Sequence, residues 1–218
     1  MSYKILSPFE NLPYVTIAGF RQLAGDAIAD DQHARIALHR WVKTGRLLTL
    51  KKGVYMHRRF FERHRQEAAF SPLVSAILLP QAYLSLEYVL QQHGILTETT
   101  YPVTAVTIKN TRTITNLAGT FVFRHIKPGF YLGFRILEAY SVPYAQASPA
   151  KALFDYLYLR PSPPRINPQS FNLAEELRLN LEELTSSDRD EFAGYVEASE
   201  MVKMQRILEN LEYHIWQP

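Results

Sequence analysis

The chain has 218 residues, a formal net charge of +3 and no cysteine. The lack of cysteine excludes disulfides and thiolate metal sites, and 47% hydrophobic with 21% charged residues is typical of a globular protein. The most apolar stretch, residues 70–84, contains Pro72 and Pro80 and is shorter than the roughly 20 residues that a membrane span needs. Because the N-terminus also lacks a basic start followed by an apolar run, we expect a cytoplasmic protein that does not enter a membrane.

Basic side chains are concentrated at the start of the chain. Residues 1–66 hold twelve Lys and Arg against five Asp and Glu, a net charge of +7. Residues 67–218 hold twelve against sixteen, a net charge of −4. This asymmetry indicates either a small basic module for a polyanion joined to an acidic body, or a solvated basic face without a partner.

Two helices are predicted near the N-terminus. Residues 15–25 form the first, with Thr16 as its N-cap and Gly25 as its stop. Residues 30–45 form the second, and Gly45 suits the left-handed residue just past its end. Two helices joined by a short polar turn are typical of a helix-turn-helix.

The second predicted helix divides into an apolar and a polar half when its residues are placed at steps of 100°. The apolar half holds Ala34, Ala37, Leu38, Trp41, Val42 and Gly45. The polar half holds Gln32, Arg35, Ile36, His39, Arg40 and Lys43. We therefore expect one face to be buried and the other to present cations and hydrogen-bonding groups to solvent.

A β-hairpin is predicted directly after this helix. Residues 47–50 and 54–56 are β-prone runs, and Lys51-Lys52-Gly53 between them forms the turn. A hairpin in this position corresponds to the wing of a winged helix, and the ammonium groups of Lys51 and Lys52 would reach a phosphate backbone from its tip.

The arginines after the hairpin have two interpretations. Arg58, Arg59, Arg63 and Arg65 belong either to an exposed hinge between domains, which we favour because runs of charge are usually solvated, or to a second phosphate-contacting surface. His33 and His39 are interpreted as surface histidines, because no ligand set for a metal accompanies them. We expect no metal and no cofactor.

The middle of the chain is predicted to mix helices and strands. Residues 83–96 read as a helix with Ser85 as N-cap and Gly94 as stop. The β-branched and aromatic runs 102–110 and 119–137 indicate antiparallel strands. Residues 148–161 form another helix, with Ser148 as N-cap and Pro149 at its first position.

The remaining residues are predicted to be helical. Residues 161–168, with four prolines, form a stiff connector, and the segments 171–184, 186–199 and 201–215 have helical periodicity. The fold class is therefore α+β: an N-terminal winged helix-turn-helix over 1–66, a mixed domain over 67–161 and a helical region over 162–218.

Residue patterns that are typical of catalysis are scarce. The sequence has no glycine-rich phosphate loop, no G-x-S-x-G and no HExxH. Glu87, Lys109, Lys151 and Asp155 are residue types that a metal-dependent nuclease uses, but Glu87 suits a helix start and Lys151 with Asp155 suits a surface ion pair four residues apart. We expect a protein that is not an enzyme.

Five segments in this order resemble the AbiEi-type antitoxins, which are transcriptional regulators of type IV toxin–antitoxin and phage-defence operons. The segments are WVKTGRLLTLKKGVYM (41–56), AYLSLEYVLQQHGIL (82–96), PVTAVTI (102–108), GTFVFRHIKPGF (119–130) and ASPAKALFDYLYLRP (147–161). The resemblance covers roughly residues 14–161. It implies an N-terminal winged helix that represses its own operon and a C-terminal domain that counteracts a co-encoded nucleotidyltransferase toxin.

The sequence thus predicts double-stranded DNA as a partner. Arg35, His39 and Lys43 would enter the major groove with Gln32 and Arg40 beside them, because arginine paired with guanine is the most informative contact there. Lys51 and Lys52 would hold phosphates. Two alternatives stay open: a winged helix that grips another protein without binding DNA, and the metal-dependent nuclease.

Overall fold

The computed structural model describes residues 6–97, 102–161 and 171–216. Helices and two β-sheets are both present, so the expected α+β class is confirmed. The chain divides into two compact units. The first comprises Met1–Pro80, Ile114–Thr120 and Glu138–Tyr144, and the second comprises Gln81–Thr113, Phe121–Leu137 and Ala145–Pro218. Within the described ranges, every helix is too short or too polar to cross a bilayer.

The first unit begins with a helical pair and a small antiparallel sheet. Its elements up to residue 80 are a 3-10 turn (Ser7–Asn11), β1 (Val15–Thr16), α1 (Ile17–Ala24), α2 (Asp31–Lys43), β2 (Leu47–Lys51), β3 (Val54–His57), α3 (Arg58–His64) and α4 (Phe70–Leu78). The strand order is β1-β3-β2, and both pairings are antiparallel. The predicted caps of α1 are confirmed: Thr16 Oγ1 accepts the Gly19 N–H at 3.0 Å, and Gly25 ends the helix with a φ of +53°.

Aromatic rings form the centre of the core beneath α1 and α2. Phe20 lies 5.7 Å from Phe9 and 5.4 Å from Trp41, and its contact with Trp41 is edge-to-face. All three residues are buried. Edge-to-face ring pairs stabilise a core by ~0.5–1.5 kcal/mol beyond the burial of their area. The apolar face of α2 is therefore held against α1 by specific ring contacts.

Two later segments of the chain complete the first unit. The Asn116 side-chain amide donates to the Leu50 carbonyl of β2 at 2.9 Å. Tyr140 donates its hydroxyl to Glu67, and its ring lies 5.3 Å from the ring of Phe60. The edge of the hairpin and the region around α3 are thus held by residues that lie far away in sequence.

The elements after residue 80 include a six-stranded sheet. They are β4 (Ala82–Leu84), α5 (Glu87–Gln92), β5 (Val103–Thr107), β6 (Arg112–Asn116), β7 (Gly119–His125), β8 (Phe134–Ala139), β9 (Val142–Ala147), α6 (Pro149–Leu159), α7 (Leu173–Glu176), α8 (Ser186–Ser199) and α9 (Val202–His214). The strand order is β6-β7-β5-β4-β9-β8. Strands β4 and β5 are antiparallel, but β4–β9 and β5–β7 are parallel. The expectation of antiparallel strands over 102–110 and 119–137 was wrong for β5 and β7, because β-propensity reports a strand and not its partner.

The start of α5 differs from the sequence prediction. Ser85 is fully buried and is not the N-cap; the cap position belongs to Leu86, which has a φ of +60°. The predicted stop is confirmed, since Gly94 has a φ of +69°. A positive φ is costly for a branched side chain, so the turn from β4 into α5 is a strained one that the surrounding contacts maintain.

Helix α6 begins as predicted. Ser148 Oγ accepts the Lys151 N–H at 3.0 Å, and Pro149 occupies the first helical position.

The C-terminal helices agree with the prediction in two of three cases. Segments 186–199 and 201–215 form α8 and α9. Segment 171–184 does not form one helix: α7 ends at Glu176, Arg178 adopts a φ of +52°, and Leu179 pairs with Leu96 in an isolated β-bridge. That tertiary pairing overrides a local helical pattern. Apart from Pro161, the predicted connector 161–168 lies outside the described residues.

Candidate nucleic-acid interface

Helix α2 begins and ends through local hydrogen bonds that the sequence encodes. Asp30 accepts the His33 N–H at 2.8 Å, and this bond lowers the pKa of the Asp30 carboxyl. At the other end, Gly45 has a φ of +70° and the Arg46 N–H donates to the Trp41 carbonyl at 2.9 Å. This arrangement is a Schellman motif. The predicted bounds of the helix are therefore confirmed.

The two halves of α2 separate as predicted. Its buried residues are Ala34, Ala37, Leu38 and Trp41. Its exposed side chains include all five that the sequence analysis selected: Gln32, Arg35, His39, Arg40 and Lys43. Ile36 lies among them with 44% of its surface exposed. We call these six residues the α2 outer face.

The polar members of the α2 outer face are available to a partner. Within the described residues, no ion pair or hydrogen bond is seen for their side chains. Acidic neighbours are engaged elsewhere: Asp31 pairs with Arg21 at 2.7 Å, and Asp30 contacts His33. The face consequently presents three formal positive charges, from Arg35, Arg40 and Lys43, that are not paired with any carboxylate the structure describes.

The two hairpin lysines differ from each other, contrary to the expectation that both lie at the tip. Lys51 is the last residue of β2, is half-buried and donates its ammonium group to the Leu78 carbonyl at 3.0 Å. Burial lowers its pKa. Its ammonium group is therefore turned toward the end of α4, where the helix dipole favours a cation. Lys52 is exposed and forms the turn with Gly53, whose φ is +77°.

The segment expected to be a hinge forms helix α3 instead. Arg58 donates to the Gly45 carbonyl at 2.6 Å, Arg59 pairs with Glu10 at 2.8 Å, and Arg63 donates to Asn11 at 3.1 Å. These arginines bind groups of their own unit. Their positive charges thus hold the segments around α2 and the hairpin together, a role that neither sequence interpretation included.

Lys151 and Asp155 are not the surface pair that their spacing suggested. Both have zero exposed surface, and they form an ion pair inside the second unit. Asp155 also accepts hydroxyl hydrogen bonds from Tyr83 at 2.9 Å and Ser85 at 2.8 Å. Burial lowers the pKa of Lys151 and raises that of Asp155, and the charge of each partner opposes the shift of the other.

This burial bears on the nuclease alternative. Side chains without exposed surface do not reach a phosphate, whereas Lys109 is exposed and Glu87 is half-buried at the first position of α5. The four residues therefore do not present a common surface to a substrate. A signal for the burial exists in the sequence, because α6 is apolar on all sides except at Lys151 and Asp155, and such a helix lies inside a protein.

Two polar residues that hold the edge of the hairpin and the start of α3 were not predicted from the sequence. Asn116 binds the edge of β2, and His57, which is buried, accepts the Arg59 N–H on Nδ1 at 3.1 Å and so caps α3. Asn116 lies 66 residues from its partner Leu50, so no local pattern reports the contact. The His57 cap is local, and a polar residue before a helix is its signal.

Comparisons with known proteins give no family. No protein-family model matches the sequence, and no curated protein is significantly similar to it. The resemblance to AbiEi-type antitoxins therefore remains a prediction. Among the residues that the structure describes, no group of three or more His, Asp or Glu is arranged to hold a metal ion. The assignment of a function consequently depends on the site itself.

Proposed function

We propose that the chain is a DNA-binding transcriptional regulator whose first unit is a winged helix-turn-helix. The observation that carries the proposal is the α2 outer face, which is exposed and cationic and whose polar side chains have no partner among the described residues. The order of elements supports it: a short strand, two helices and a hairpin, with β1 paired to the hairpin strand β3. A second helix with a free polar face is the one that enters the major groove in this class of protein.

The proposed base contacts come from the middle of α2. Arg35, His39 and Lys43 lie on one side of the helix and point to solvent. Arg35 donates two hydrogen bonds to a guanine, Gln32 suits an adenine, and the exposed Ile36 suits the methyl group of a thymine. Arg40 and Lys43 are assigned to base edges or to the adjoining phosphates, which bind cations irrespective of sequence.

The proposed phosphate contact of the wing comes from Lys52 alone. Lys51 is not assigned a phosphate contact, because its ammonium group is bound to the Leu78 carbonyl. Each phosphate neutralised by a cation releases counterions, so one lysine contributes about one unit to the dependence of log K on log salt. The wing therefore adds affinity without adding sequence preference.

The biological role that we propose is that of the antitoxin of a type IV toxin–antitoxin operon. Its support is the set of resembling segments between residues 41 and 161. In this role the chain represses its own promoter and counteracts a nucleotidyltransferase toxin. Co-expression of the chain with the product of a neighbouring nucleotidyltransferase gene tests the second part, because restored growth is expected and unchanged toxicity contradicts it.

Gel shifts on the chain's own promoter and on a scrambled duplex test the DNA-binding proposal. Arg35→Ala is expected to weaken binding to the promoter by ~1–3 kcal/mol and to bring its affinity closer to that for the scrambled duplex. Arg206→Ala removes an exposed charge from the second unit and serves as the matched control. Negligible binding of the unaltered chain to any duplex at low salt would favour the protein-interaction module instead.

A further inference from the structure

A cavity in the second unit carries groups that DNA binding does not use. Its volume is about 440 Å³, within the ~300–1,000 Å³ typical of small-molecule sites. The lining includes His93 just after α5, Phe134 and Arg135 of β8, Ser148 and Pro149 at the start of α6, and Glu191 of α8. The lining therefore combines one guanidinium group, one carboxylate and one imidazole with an aromatic residue.

The carboxylate of Glu191 is held in place by two hydroxyl groups. Ser148 Oγ and Tyr195 Oη both donate to its Oε1, at 2.8 and 2.7 Å. No hydrogen bond to its Oε2 is seen in the part of the chain that the structure describes. The carboxylate is thus oriented by the protein with one oxygen available as an acceptor, which is the preorganisation that a binding site requires.

A glycine makes room for this arrangement. Gly133 has a φ of +75°, and a Cβ there would lie 2.3 Å from Tyr195 Oη and 2.9 Å from the Lys151 stem. Any side chain at this position would push away the phenol that holds Glu191. The close approach of the backbone therefore keeps both the Tyr195 hydroxyl and the wall of the cavity in position.

The opposite charge in the cavity belongs to Arg135. Its side chain is exposed, and no hydrogen bond or ion pair is seen for it across residues 6–97, 102–161 and 171–216. A guanidinium group binds a carboxylate through two parallel hydrogen bonds. Phe134 and Pro149 supply apolar surface beside these charged groups.

We propose that this cavity binds a free α-amino acid with an apolar side chain. The α-carboxylate pairs with Arg135, the α-ammonium donates to Glu191 Oε2, and the side chain packs against Phe134. A ligand with both charges satisfies both charged groups of the cavity, whereas an anion leaves Glu191 unpaired and a cation leaves Arg135 unpaired. The inference is independent of the proposal that the first unit binds DNA.

Calorimetry with three matched compounds tests the inference: L-phenylalanine, 2-phenylethylamine, which lacks the carboxylate, and 3-phenylpropionate, which lacks the ammonium. L-phenylalanine is expected to bind at least about tenfold more tightly than either analogue, since each missing ion pair costs ~1.4 kcal/mol or more. L-leucine is also expected to bind, and L-aspartate is expected to bind more weakly than L-phenylalanine. Equal affinities for the three phenyl compounds, or no binding of L-phenylalanine and L-leucine at millimolar concentration, would overturn the inference.

Two variants assign the contacts. Arg135→Ala is expected to lower the affinity for L-phenylalanine about tenfold and to leave that for 2-phenylethylamine unchanged. Glu191→Gln keeps an acceptor for Ser148 and Tyr195. It is expected to lower the affinity for L-phenylalanine about tenfold and to leave that for 3-phenylpropionate unchanged. Arg206→Ala, an exposed arginine on α9 outside the cavity, is the control. Unchanged L-phenylalanine affinity in both cavity variants, with unchanged melting temperatures, would place any bound amino acid elsewhere.

Discussion

Three lysines of this chain occupy three different environments. Lys52 is exposed in the hairpin turn, Lys51 is half-buried against the Leu78 carbonyl, and Lys151 is fully buried beside Asp155. An ammonium group contributes to phosphate binding when it is accessible, and it contributes to folding when it is paired inside the protein. The residue type is the same in each case, so the surrounding chain determines the role.

Substitutions of the two hairpin lysines are expected to have different effects on DNA binding and on stability. Lys52→Ala is expected to weaken binding to all duplexes alike and to reduce the slope of log K against log salt by about one unit. Lys51→Ala is expected to leave that slope unchanged and to lower the free energy of unfolding by ~0.5–1.5 kcal/mol, because the hydrogen bond to Leu78 is lost. Salt-dependent gel shifts and urea denaturation measure both. Equal changes of slope in the two variants would contradict the assignment.

His57 gives a prediction of pH dependence. Burial lowers its pKa below the ordinary 6.5, and its Nδ1 must be unprotonated to accept the Arg59 N–H. The folded state then binds fewer protons than the unfolded state below about pH 6.5, so stability is present above that pH and decreases as the pH falls through the folded pKa. Urea denaturation between about pH 5 and pH 8 should show this decrease.

His57→Asn is the matched variant for this measurement. Asparagine also caps helices through its side-chain oxygen but does not titrate. Its stability is therefore expected to depend less on pH than that of the unaltered chain, while Glu10, Arg59 and Glu62, whose charges act on His57, remain in both proteins. If the stabilities of the two proteins decrease in parallel as the pH falls, the acid sensitivity belongs to groups other than His57.

At the scale of elements, local signals were the reliable ones. The caps and periodicity of α2, α6, α8 and α9 are written in adjacent residues, and each of these helices lies where the sequence predicts it. The failures depend on partners distant in sequence: β5 and β7 pair in parallel, and Leu179 pairs with Leu96 where a helix was expected. The exposed side chains of α2 followed from periodicity, whereas the Lys51 contact with Leu78 had no local signal.

The ion pair that Lys151 and Asp155 form within α6 is expected to be energetically coupled. Lys151→Met or Asp155→Asn alone leaves one buried charge without its partner and is expected to cost ~3–5 kcal/mol of unfolding free energy. The double variant leaves neither charge buried, so its cost is expected to fall short of the sum of the single costs by ~0.5–3 kcal/mol. Urea denaturation of the four proteins completes the cycle. Additive costs would mean that the pair is not energetically coupled.

At the scale of the whole molecule, the first unit is assembled from three separate segments. Residues up to Pro80 are joined by Ile114–Thr120 and Glu138–Tyr144. Asn116 and Tyr140 each supply a hydrogen bond, and Tyr140 adds a ring contact with Phe60. Such contacts contribute ~0.5–1.5 kcal/mol each, a substantial share of the ~5–15 kcal/mol that stabilises a small domain.

A fragment of residues 1–80 is therefore expected to be less stable than the same residues in the full chain, by several kcal/mol. Hydrogen exchange of the β2 and α3 amides measures the difference in both proteins. Full-length Asn116→Ala with Tyr140→Phe is the control, since it removes the two hydrogen bonds without shortening the chain. Equal protection of these amides in the fragment and in the full chain would mean that the later segments do not stabilise the first unit.

The first unit is completed late during synthesis of the chain, because two of its segments follow Pro80. A ribosome that has added Pro80 must add 64 more residues before Tyr144 is available to the first unit, which takes on the order of 3–13 s at the usual rates of protein synthesis. Until then the nascent chain lacks the residues that close the edge of β2 and cover α3. If the first unit binds DNA as proposed, chains that end before Tyr144 should bind it more weakly than finished chains.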